Sequence, residues 1–214
     1  MNTFSQSSQD IFVRTLTNNK NNGTFLEIGS NDPITHNNTY VLENENNYKG
    51  IMVEYDVSFE SAYKIHRPNS IHILNDAQKI NYRDILDNNN FPIEIDYLQI
   101  DLDVNNRSTL NTLELLNTNV FDKYKFRTVT FEHDIYTGNL FNTQEISRNI
   151  FKERGYILVF PDVSVFWEGR YCKFEDWYVH QELVSADIIN KIKQNDGLSH
   201  EEIKLILFKI QQNA

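Results

Sequence analysis

Residues 24–32 read Thr24-Phe25-Leu26-Glu27-Ile28-Gly29-Ser30-Asn31-Asp32, a short apolar run that ends in polar turn residues. A second stretch, Gly50-Ile51-Met52-Val53-Glu54-Tyr55, repeats the pattern and also ends in a carboxylate. Such runs are typical of buried strands in a parallel sheet. In nucleoside-binding sheets a glycine turn follows the first strand, and an acid roughly 20 residues later binds ribose hydroxyls. Glu54 follows Gly29 by 25 residues, so the pair predicts a nucleoside site.

Strand-like and helix-like segments alternate along the chain, which favours a doubly wound, mostly parallel α/β sheet. We expect strands at 24–28, 51–54, 70–74, 97–101, 128–132, 156–160 and 163–167. We expect helices at about 5–18, 38–46, 59–66, 109–116, 145–153 and about 199–212. Only Pro161 and Asp162 separate the last two strands, too few residues for a parallel crossover, so they should form an antiparallel hairpin at one end of the sheet. Neither a repeat nor a linker interrupts 1–214, which predicts a single domain.

Composition limits the partners. The 214 residues include 20 basic and 30 acidic side chains, a net charge of −10, whereas polyanion binding relies on clustered Lys and Arg. We therefore expect no nucleic-acid partner. No segment approaches the roughly 18 consecutive apolar residues of a membrane span, so we expect no membrane partner. Cys172 is the only cysteine, and residues 1–6 lack a basic region followed by an apolar run. These features predict a soluble cytoplasmic protein.

The ligand class follows from the missing glycines. A dinucleotide site needs three closely spaced glycines so that backbone amides can approach a pyrophosphate, but the next glycine after Gly29 is Gly50. The acid before Gly29 suits a cationic ligand without phosphate. This pattern favours S-adenosylmethionine over NAD. The alternative is that Glu27 and Glu54 are ordinary acids at strand ends.

Five of the predicted strands end in polar residues or are followed by them. They are the segments 27–32, Glu54, Asp76, 101–103 and 132–134. Ligands of open α/β sheets bind outside the carboxyl ends of the strands, so we expect these groups to face one crevice.

Several motifs also occur in a fixed order between about residues 23 and 180. They are Phe25 to Asp32, Asn38-Thr39, Glu43, Tyr48 to Glu54, Ile95 to Asp101, Thr130-Phe131-Glu132-His133 and Asp176-Trp177-Tyr178-Val179-His180. In this order they resemble the FkbM family of S-adenosylmethionine-dependent methyltransferases. The resemblance implies a class I methyltransferase fold, a Rossmann-like seven-stranded sheet with an antiparallel last strand. It also implies O-methylation of hydroxyls on sugars, glycans or related small molecules.

Two positions depart from the family pattern. Pro33 stands where a glycine is usual, and Asp103 in Leu102-Asp103-Val104 stands near a usual acid-glycine pair. Pro33 removes one amide and fixes φ. Both departures flank the expected site, so they indicate either a shifted substrate pocket or a repurposed, non-catalytic scaffold.

Nine positions are expected to bind the cofactor. Glu27, Gly29 and Ser30 are assigned to the methionine end, Glu54 to the ribose, Tyr55 to stacking on adenine, Asp76 and Ala77 to the adenine edge, and Asp101 to the sulfonium side. Asn31, which follows Ser30, is the ninth. Two of these assignments have structural alternatives. Tyr55 could pack on the following helix, and Asp76 could cap a turn or helix.

Methyl transfer to a hydroxyl requires a base or a metal that takes up or acidifies the proton. His133 is the first candidate because Glu132 and Asp134 flank it and a carboxylate orients an imidazole. His180 is the second candidate base and Asp103 the third. For each histidine the alternative is a buried, hydrogen-bonded structural role.

A magnesium site is the other route. The spacing of Asp101 and Glu132 resembles that of the metal ligands in catechol-type and macrolide sugar O-methyltransferases, and Asp134 or Asp103 adds a third oxygen donor. An all-oxygen set suits Mg²⁺. The alternative assigns Asp101 to the cofactor and Glu132 to the acceptor.

Aromatic residues are dense in the segment 166–178. Such rings pack against sugar faces, which predicts a small-molecule or glycan acceptor, but they also suit a core boundary or a homodimer contact. Three classes of function therefore remain: an O-methyltransferase, an NAD-dependent oxidoreductase, and a non-catalytic nucleoside-binding protein.

Overall fold

A computed structural model describes residues 3–212 of the chain. One sheet of seven strands forms its centre, in the order β3-β2-β1-β4-β5-β7-β6. The strands are β1 (Thr24–Ile28), β2 (Lys49–Glu54), β3 (Ile71–Leu74), β4 (Glu94–Ile100), β5 (Lys125–Glu132), β6 (Tyr156–Trp167) and β7 (Arg170–His180). Neighbours from β3 to β5 pair in parallel, and β7 is antiparallel to both β5 and β6. This arrangement confirms the predicted fold class.

Helices cover both faces of the sheet. They are α1 (Gln9–Leu16), α2 (Tyr40–Asn46), α3 (Glu60–His66), α4 (Tyr82–Asn88), α5 (Ser108–Asn119), α6 (Thr143–Glu153), α7 (Ala186–Ile192) and α8 (His200–Gln212). Successive strand residues point to opposite faces, so Leu26 and Ile28 pack with the α4–α6 side while Phe25 packs with the side of α1 and α2. Within the described range, no helix has the length and apolar character that crossing a membrane requires.

The predicted hairpin at Pro161 and Asp162 is wrong. Residues 156–167 form one strand, β6, whose register against β7 shifts at three places between Leu158 and Ser164. Asp162 adopts φ +53° there, and its amide donates to Asp176 Oδ1 (2.9 Å). A bulge of this kind accommodates an extra residue without ending the strand. The true turn lies at Glu168 and Gly169, where both residues have positive φ.

Candidate functional site

The glycine-turn cavity opens at the carboxyl ends of β1, β2 and β4 and has a volume of about 710 Å³. A second space, the Tyr55 cavity, measures about 360 Å³. Leu102 and Asp103 line both. The glycine-turn cavity is lined by Gln6, Glu27, Gly29, Ser30, Asn31, Asp32, Thr35, His36, Glu54, Phe59, Gln99, Asp101, Leu102 and Asp103. The predicted cofactor residues therefore lie around two adjoining spaces.

Gly29 makes the tight turn after β1. Its φ is +84°, and its amide and that of Ser30 both donate to the Val53 carbonyl oxygen, at 3.0 and 3.1 Å. A Cβ built on Gly29 would lie 1.7 Å from the backbone oxygen of Asp101. Glycine is therefore required by conformation and by space, because a side chain would collide with the end of β4.

Glu54 organises the loops at the end of β2. Its carboxylate accepts hydrogen bonds from the amides of Asn31 (2.7 Å), Tyr55 (2.8 Å) and Asp56 (2.8 Å). A carboxylate has about four acceptor positions, so the three amides leave capacity for one further donor. Glu54 thus shapes the cavity and keeps an acceptor for a ligand in it.

Glu27 is buried in the wall of the glycine-turn cavity, with 1% of its surface exposed. Thr39 donates to Glu27 Oε2 at 2.7 Å, and Asn37 donates at 3.4 Å. Burial raises the pKa of Glu27 to about 7, although the charge of Arg67 and these hydrogen bonds oppose the rise. Arg67, itself buried, donates to both Asn37 and Thr39 and so fixes the groups that hold Glu27.

Two acceptor atoms in this wall have no hydrogen-bond partner among the residues described. They are Oε1 of Glu27 and Oε1 of Gln99, both on buried side chains. Glu27 and Gln99 are directly paired across β1 and β4. Unpaired buried acceptors are costly and rare in folded proteins. Their presence side by side indicates a ligand that supplies N–H or O–H donors.

The Tyr55 cavity contains the residues predicted to bind adenine. Tyr55 is 77% exposed there and does not pack into the core. Ala77 and Asp76 also line it. Asp76 caps a 3-10 turn by accepting from the Gln78 amide at 3.0 Å, and this bond is the main cause of its lowered pKa. Asp76 therefore has the capping role that was given as its alternative, and its contact with adenine stays a prediction.

Carboxyl groups crowd the carboxyl ends of β4 and β5. Asp101 and Glu132 share a side-chain hydrogen bond, and burial raises the pKa of both groups. Burial and the charge of Asp101 also raise the pKa of Asp134 to about 6. Glu175, opposite Glu132 on β7, is buried and has its pKa raised to about 8, chiefly by burial. Glu175 therefore keeps its proton at neutral pH, whereas Asp134 is largely ionised.

The predicted magnesium ligands do not form a cluster of three, so the magnesium site stays a prediction. Among residues 3–212, the only three acid, histidine or cysteine side chains whose ligand atoms lie within 4.8 Å of one another are His133, Asp162 and Asp176. The ligand atoms of Asp101, Glu132 and Asp134 do not all lie within 4.8 Å of one another. The side chains of Asp101 and Glu132 are hydrogen-bonded to each other. The His133 group already holds a cation, because Arg148 donates to Asp162 (2.8 Å) and to both oxygens of Asp176 (2.7 and 2.8 Å).

His133 lies inside this ion network. It is 1% exposed, lines none of the cavities described, and its Nε2 is 3.5 Å from Asp176 Oδ1. Its Nδ1 accepts from the Ile135 amide at 3.2 Å. Burial alone would raise the pKa of Asp176, but Arg148 and His133 lower it well below the usual range. The geometry matches the structural alternative given for His133 and argues against its prediction as the base.

His180 lies at the wrong end of the sheet for the predicted base. β7 runs antiparallel to β5, so Val179 pairs with Thr128 while Glu175 pairs with Glu132 at the cavity end. His180 therefore lies toward the amino end of β5, away from the cavities, and is 3% exposed. Asp103 differs from both histidines: it lines both the glycine-turn cavity and the Tyr55 cavity, and it caps a 3-10 turn by accepting from the Asn105 amide at 2.9 Å.

A third space, the hairpin cavity, measures about 260 Å³ beside the β6–β7 hairpin. Gln6 lines both it and the glycine-turn cavity. Its other lining residues are Glu132, Asp134, Tyr136, Val165, Trp167, Cys172 and Phe174. Part of the predicted aromatic cluster, Trp167 and Phe174, therefore borders a cavity, whereas Trp177 is fully buried in the core.

Sequence reasoning missed Gln99 and Arg67 as parts of the site. Gln99 carried a signal, because it is a polar residue within an apolar strand run. Arg67 carried none, since its partners Asn37 and Thr39 lie about thirty residues away and meet it only in the folded chain.

No protein-family model and no curated protein sequence matches the chain. Its fold is similar to solved methyltransferases. A precorrin-6y C5,15-methyltransferase from Geobacter metallireducens aligns with TM-score 0.54 and 12% identity, over 81% of this chain and 87% of that one. A protein assigned as a DNA modification methyltransferase of an E. coli prophage aligns with TM-score 0.53 and 12% identity, over 83% of this chain and 53% of that one. A protein assigned as an rRNA methylase from Clostridium thermocellum aligns with TM-score 0.51 and 10% identity, over 84% of this chain and 97% of that one.

The chain has the class I methyltransferase fold. At these identities the likeness establishes the fold alone, and the three neighbours differ in what their names say they modify. Strand order and the antiparallel β7 agree with this fold. The substrate therefore has to be inferred from the site itself.

Proposed function

We propose that this chain is an S-adenosylmethionine-dependent methyltransferase. The observation that carries the proposal is the pair of unpaired buried acceptors, Glu27 Oε1 and Gln99 Oε1, in the wall of the glycine-turn cavity. The α-ammonium of S-adenosylmethionine supplies N–H donors of the matching charge. No Lys or Arg lines this cavity, and the closely spaced glycines whose amides would approach the pyrophosphate of NAD do not follow Gly29.

Each of the two adjoining cavities would hold one part of the cofactor. In this proposal the methionine end lies against Glu27, Gly29, Ser30 and Asn31, with the sulfonium near Asp101. The ribose hydroxyls donate to the remaining acceptor position of Glu54. Adenine occupies the Tyr55 cavity, where the exposed Tyr55 ring stacks on it and Asp76 with Ala77 borders its edge. The volumes of about 710 and 360 Å³ accommodate a ligand of this size.

The acceptor is a hydroxyl of a sugar, glycan or related small molecule, as the FkbM resemblance implies. Its oxygen attacks the methyl carbon in line, the carbon–sulfur bond breaks, and S-adenosylhomocysteine leaves. The hydroxyl proton passes to a carboxylate. Asp103 has this role, because among the three predicted bases it alone lines the cofactor cavities.

Calorimetric titration with S-adenosylhomocysteine tests cofactor binding, with NADH as the comparison ligand and with Mg²⁺ present or absent. We expect micromolar binding of S-adenosylhomocysteine that Mg²⁺ does not change, and no binding of NADH. Glu27→Gln should weaken the binding about tenfold or more, because one charge-assisted hydrogen bond is lost. Glu94→Gln is the matched control, since Glu94 begins β4 at the opposite end of the sheet.

The alternatives give different results. Binding of NADH in place of S-adenosylhomocysteine would favour an oxidoreductase. Binding of neither ligand would contradict the proposal and favour a repurposed scaffold, for which Pro33 and Asp103 would be the marks. If the homocysteine binds, transfer of a labelled methyl group to a panel of glycans tests the acceptor class.

A further inference from the structure

We infer that the hairpin cavity is the acceptor subsite and that it selects a small hydroxylated acceptor carrying a protonated amine. This inference rests on the proposed function, because it names the substrate that the cofactor site would methylate. It adds a charge requirement that the resemblance to sugar O-methyltransferases does not contain.

The position of the cavity suits an acceptor. Gln6 borders both the hairpin cavity and the glycine-turn cavity. Glu132 lines the hairpin cavity, and its hydrogen-bond partner Asp101 lines the glycine-turn cavity. The two spaces therefore meet at the end of β4, where the proposal places the sulfonium. A molecule in the hairpin cavity lies beside the methyl group that is transferred.

The walls combine aromatic rings with carboxylates. Trp167 is 61% exposed and Tyr136 38% exposed, whereas Phe174 is buried beneath them. Asp134 supplies the negative charge of the lining and Glu132 a second acidic group, and the lining contains no Lys, Arg or His. Aromatic faces attract ammonium groups through the ring quadrupole, and adjacent carboxylates add a direct ionic attraction. A neutral acceptor would use only the rings, and an anionic one would be repelled.

Asp134 carries the charge that an ammonium group would meet. The charges of Asp101 and Asp103 act on Asp134 with one sign, and His133 acts on it with the opposite sign. Among the basic residues nearby, Arg148 is bound to Asp162 and Asp176, Lys173 lies 3.7 Å from Asp162, and Arg170 acts on Tyr136. An ammonium group in the hairpin cavity would pair with the Asp134 carboxylate. At about 260 Å³ the cavity holds one small ring or a short chain.

The experiment compares matched pairs that differ in charge. The folded protein, saturated with S-adenosylhomocysteine, is titrated calorimetrically with glucosamine and N-acetylglucosamine, and with serinol and N-acetylserinol. We expect the cationic member of at least one pair to bind about tenfold more tightly than its acetylated partner. Its binding should also change the fluorescence of Trp167, the exposed one of the two tryptophans.

Two variants locate the effect. Asp134→Asn should abolish the preference for the cation, and asparagine tolerates the left-handed backbone of this position (φ +47°). Trp167→Phe should remove the fluorescence change and retain the preference. Asp187→Asn, on α7 and outside all three cavities, should behave like the wild type. Circular dichroism confirms that each variant is folded.

The outcomes separate the inference from the proposed function. Failure of S-adenosylhomocysteine to bind contradicts both. If the homocysteine binds but both pairs show equal affinity, or a preference for the acetylated member, the inference is wrong and the proposed function stands. A preference that survives Asp134→Asn also overturns it, because the selectivity would then arise outside the hairpin cavity.

Discussion

Gly29 and Asp101 approach so closely that a β-carbon on Gly29 would lie 1.7 Å from the Asp101 carbonyl oxygen. The Asp101 amide in turn donates to the Ile28 carbonyl oxygen at 3.0 Å. The ends of β1 and β4 are thereby fixed together, and the side chains that follow them face the glycine-turn cavity. Backbone contact at this one point positions both halves of the site.

Gly29→Ala should destabilise the protein strongly. The variant combines a strained backbone, about 1–2 kcal/mol, with overpacking against β4, about 1–3 kcal/mol. Gly169→Ala is the matched control, because Gly169 has a similar φ of +80° with no atom within 4 Å of the added Cβ. Urea unfolding should show a clearly larger loss for Gly29→Ala. Equal losses would mean that the contact with Asp101 does not constrain the turn.

Arg148 should be important for stability because it neutralises a buried charge. Asp176 is fully buried and binds Arg148 through both oxygens. Arg148→Met would leave that carboxylate without its main partner, at a cost of about 3 kcal/mol or more. Arg83→Met, which removes an exposed pair with Asp122, should cost less than about 1 kcal/mol. Similar losses for the two variants in chemical denaturation would contradict the network's role.

The stability of the protein should fall as pH rises from about 5 to 8. The folded-state pKa of Glu175 is about 8 against an ordinary 4.5, so within this window the folded state binds more protons than the unfolded one. Glu27 contributes with the same sign. The free energy of unfolding, measured at pH 5, 6.5 and 8, should therefore decrease with pH.

Glu175→Gln separates this contribution from others. It keeps an oxygen acceptor for the Trp177 indole, which donates to Glu175 at 2.6 Å, and it removes the titration. The decrease with pH should be smaller than in the wild type, by at most about 1.4 kcal/mol per pH unit. A variant with the wild-type slope would show that Glu175 does not hold its proton in the folded state.

Cofactor binding should strengthen between pH 6 and 8. Without ligand the pKa of Glu27 is about 7, whereas pairing with the ammonium of S-adenosylhomocysteine requires the ionised carboxylate. At pH 6 the ligand must first expel a proton, which weakens binding. Calorimetry at the two pH values should show this difference in the wild type and its absence in Glu27→Gln. The same pH dependence in both proteins would assign it to another group.

The sheet was predictable where local patterns alone determine the structure. The strand at 24–28 was predicted with the observed limits. The strand predicted at 51–54 begins two residues earlier, at Lys49, and ends where predicted. α4, α7 and β7 were missed. β7 mixes charged and aromatic residues, a composition found in surface loops as well as in strands, and its pairing with β5 depends on a partner more than forty residues away.

The candidate site was predictable at the strand ends but not beyond them. Glu27, Glu54 and Asp101 line one cavity because parallel strands end at the same edge of the sheet. His180 was misplaced because the direction of β7 was unknown, and His133 because its burial depends on Arg148 and Asp176. Pro161 indicated a turn, whereas the bond from the Asp162 amide to Asp176 keeps β6 continuous.

A crystal structure with S-adenosylhomocysteine bound tests the central claim most directly. The proposal predicts the ligand's amino group within about 2.7–3.2 Å of Glu27 Oε1, with its ribose at Glu54 and its adenine beside Tyr55. A second structure of Glu27→Gln should show the amino group displaced or the ligand absent. Ligand bound outside the two adjoining cavities, or an amino group that leaves Glu27 Oε1 and Gln99 Oε1 unpaired, would contradict it.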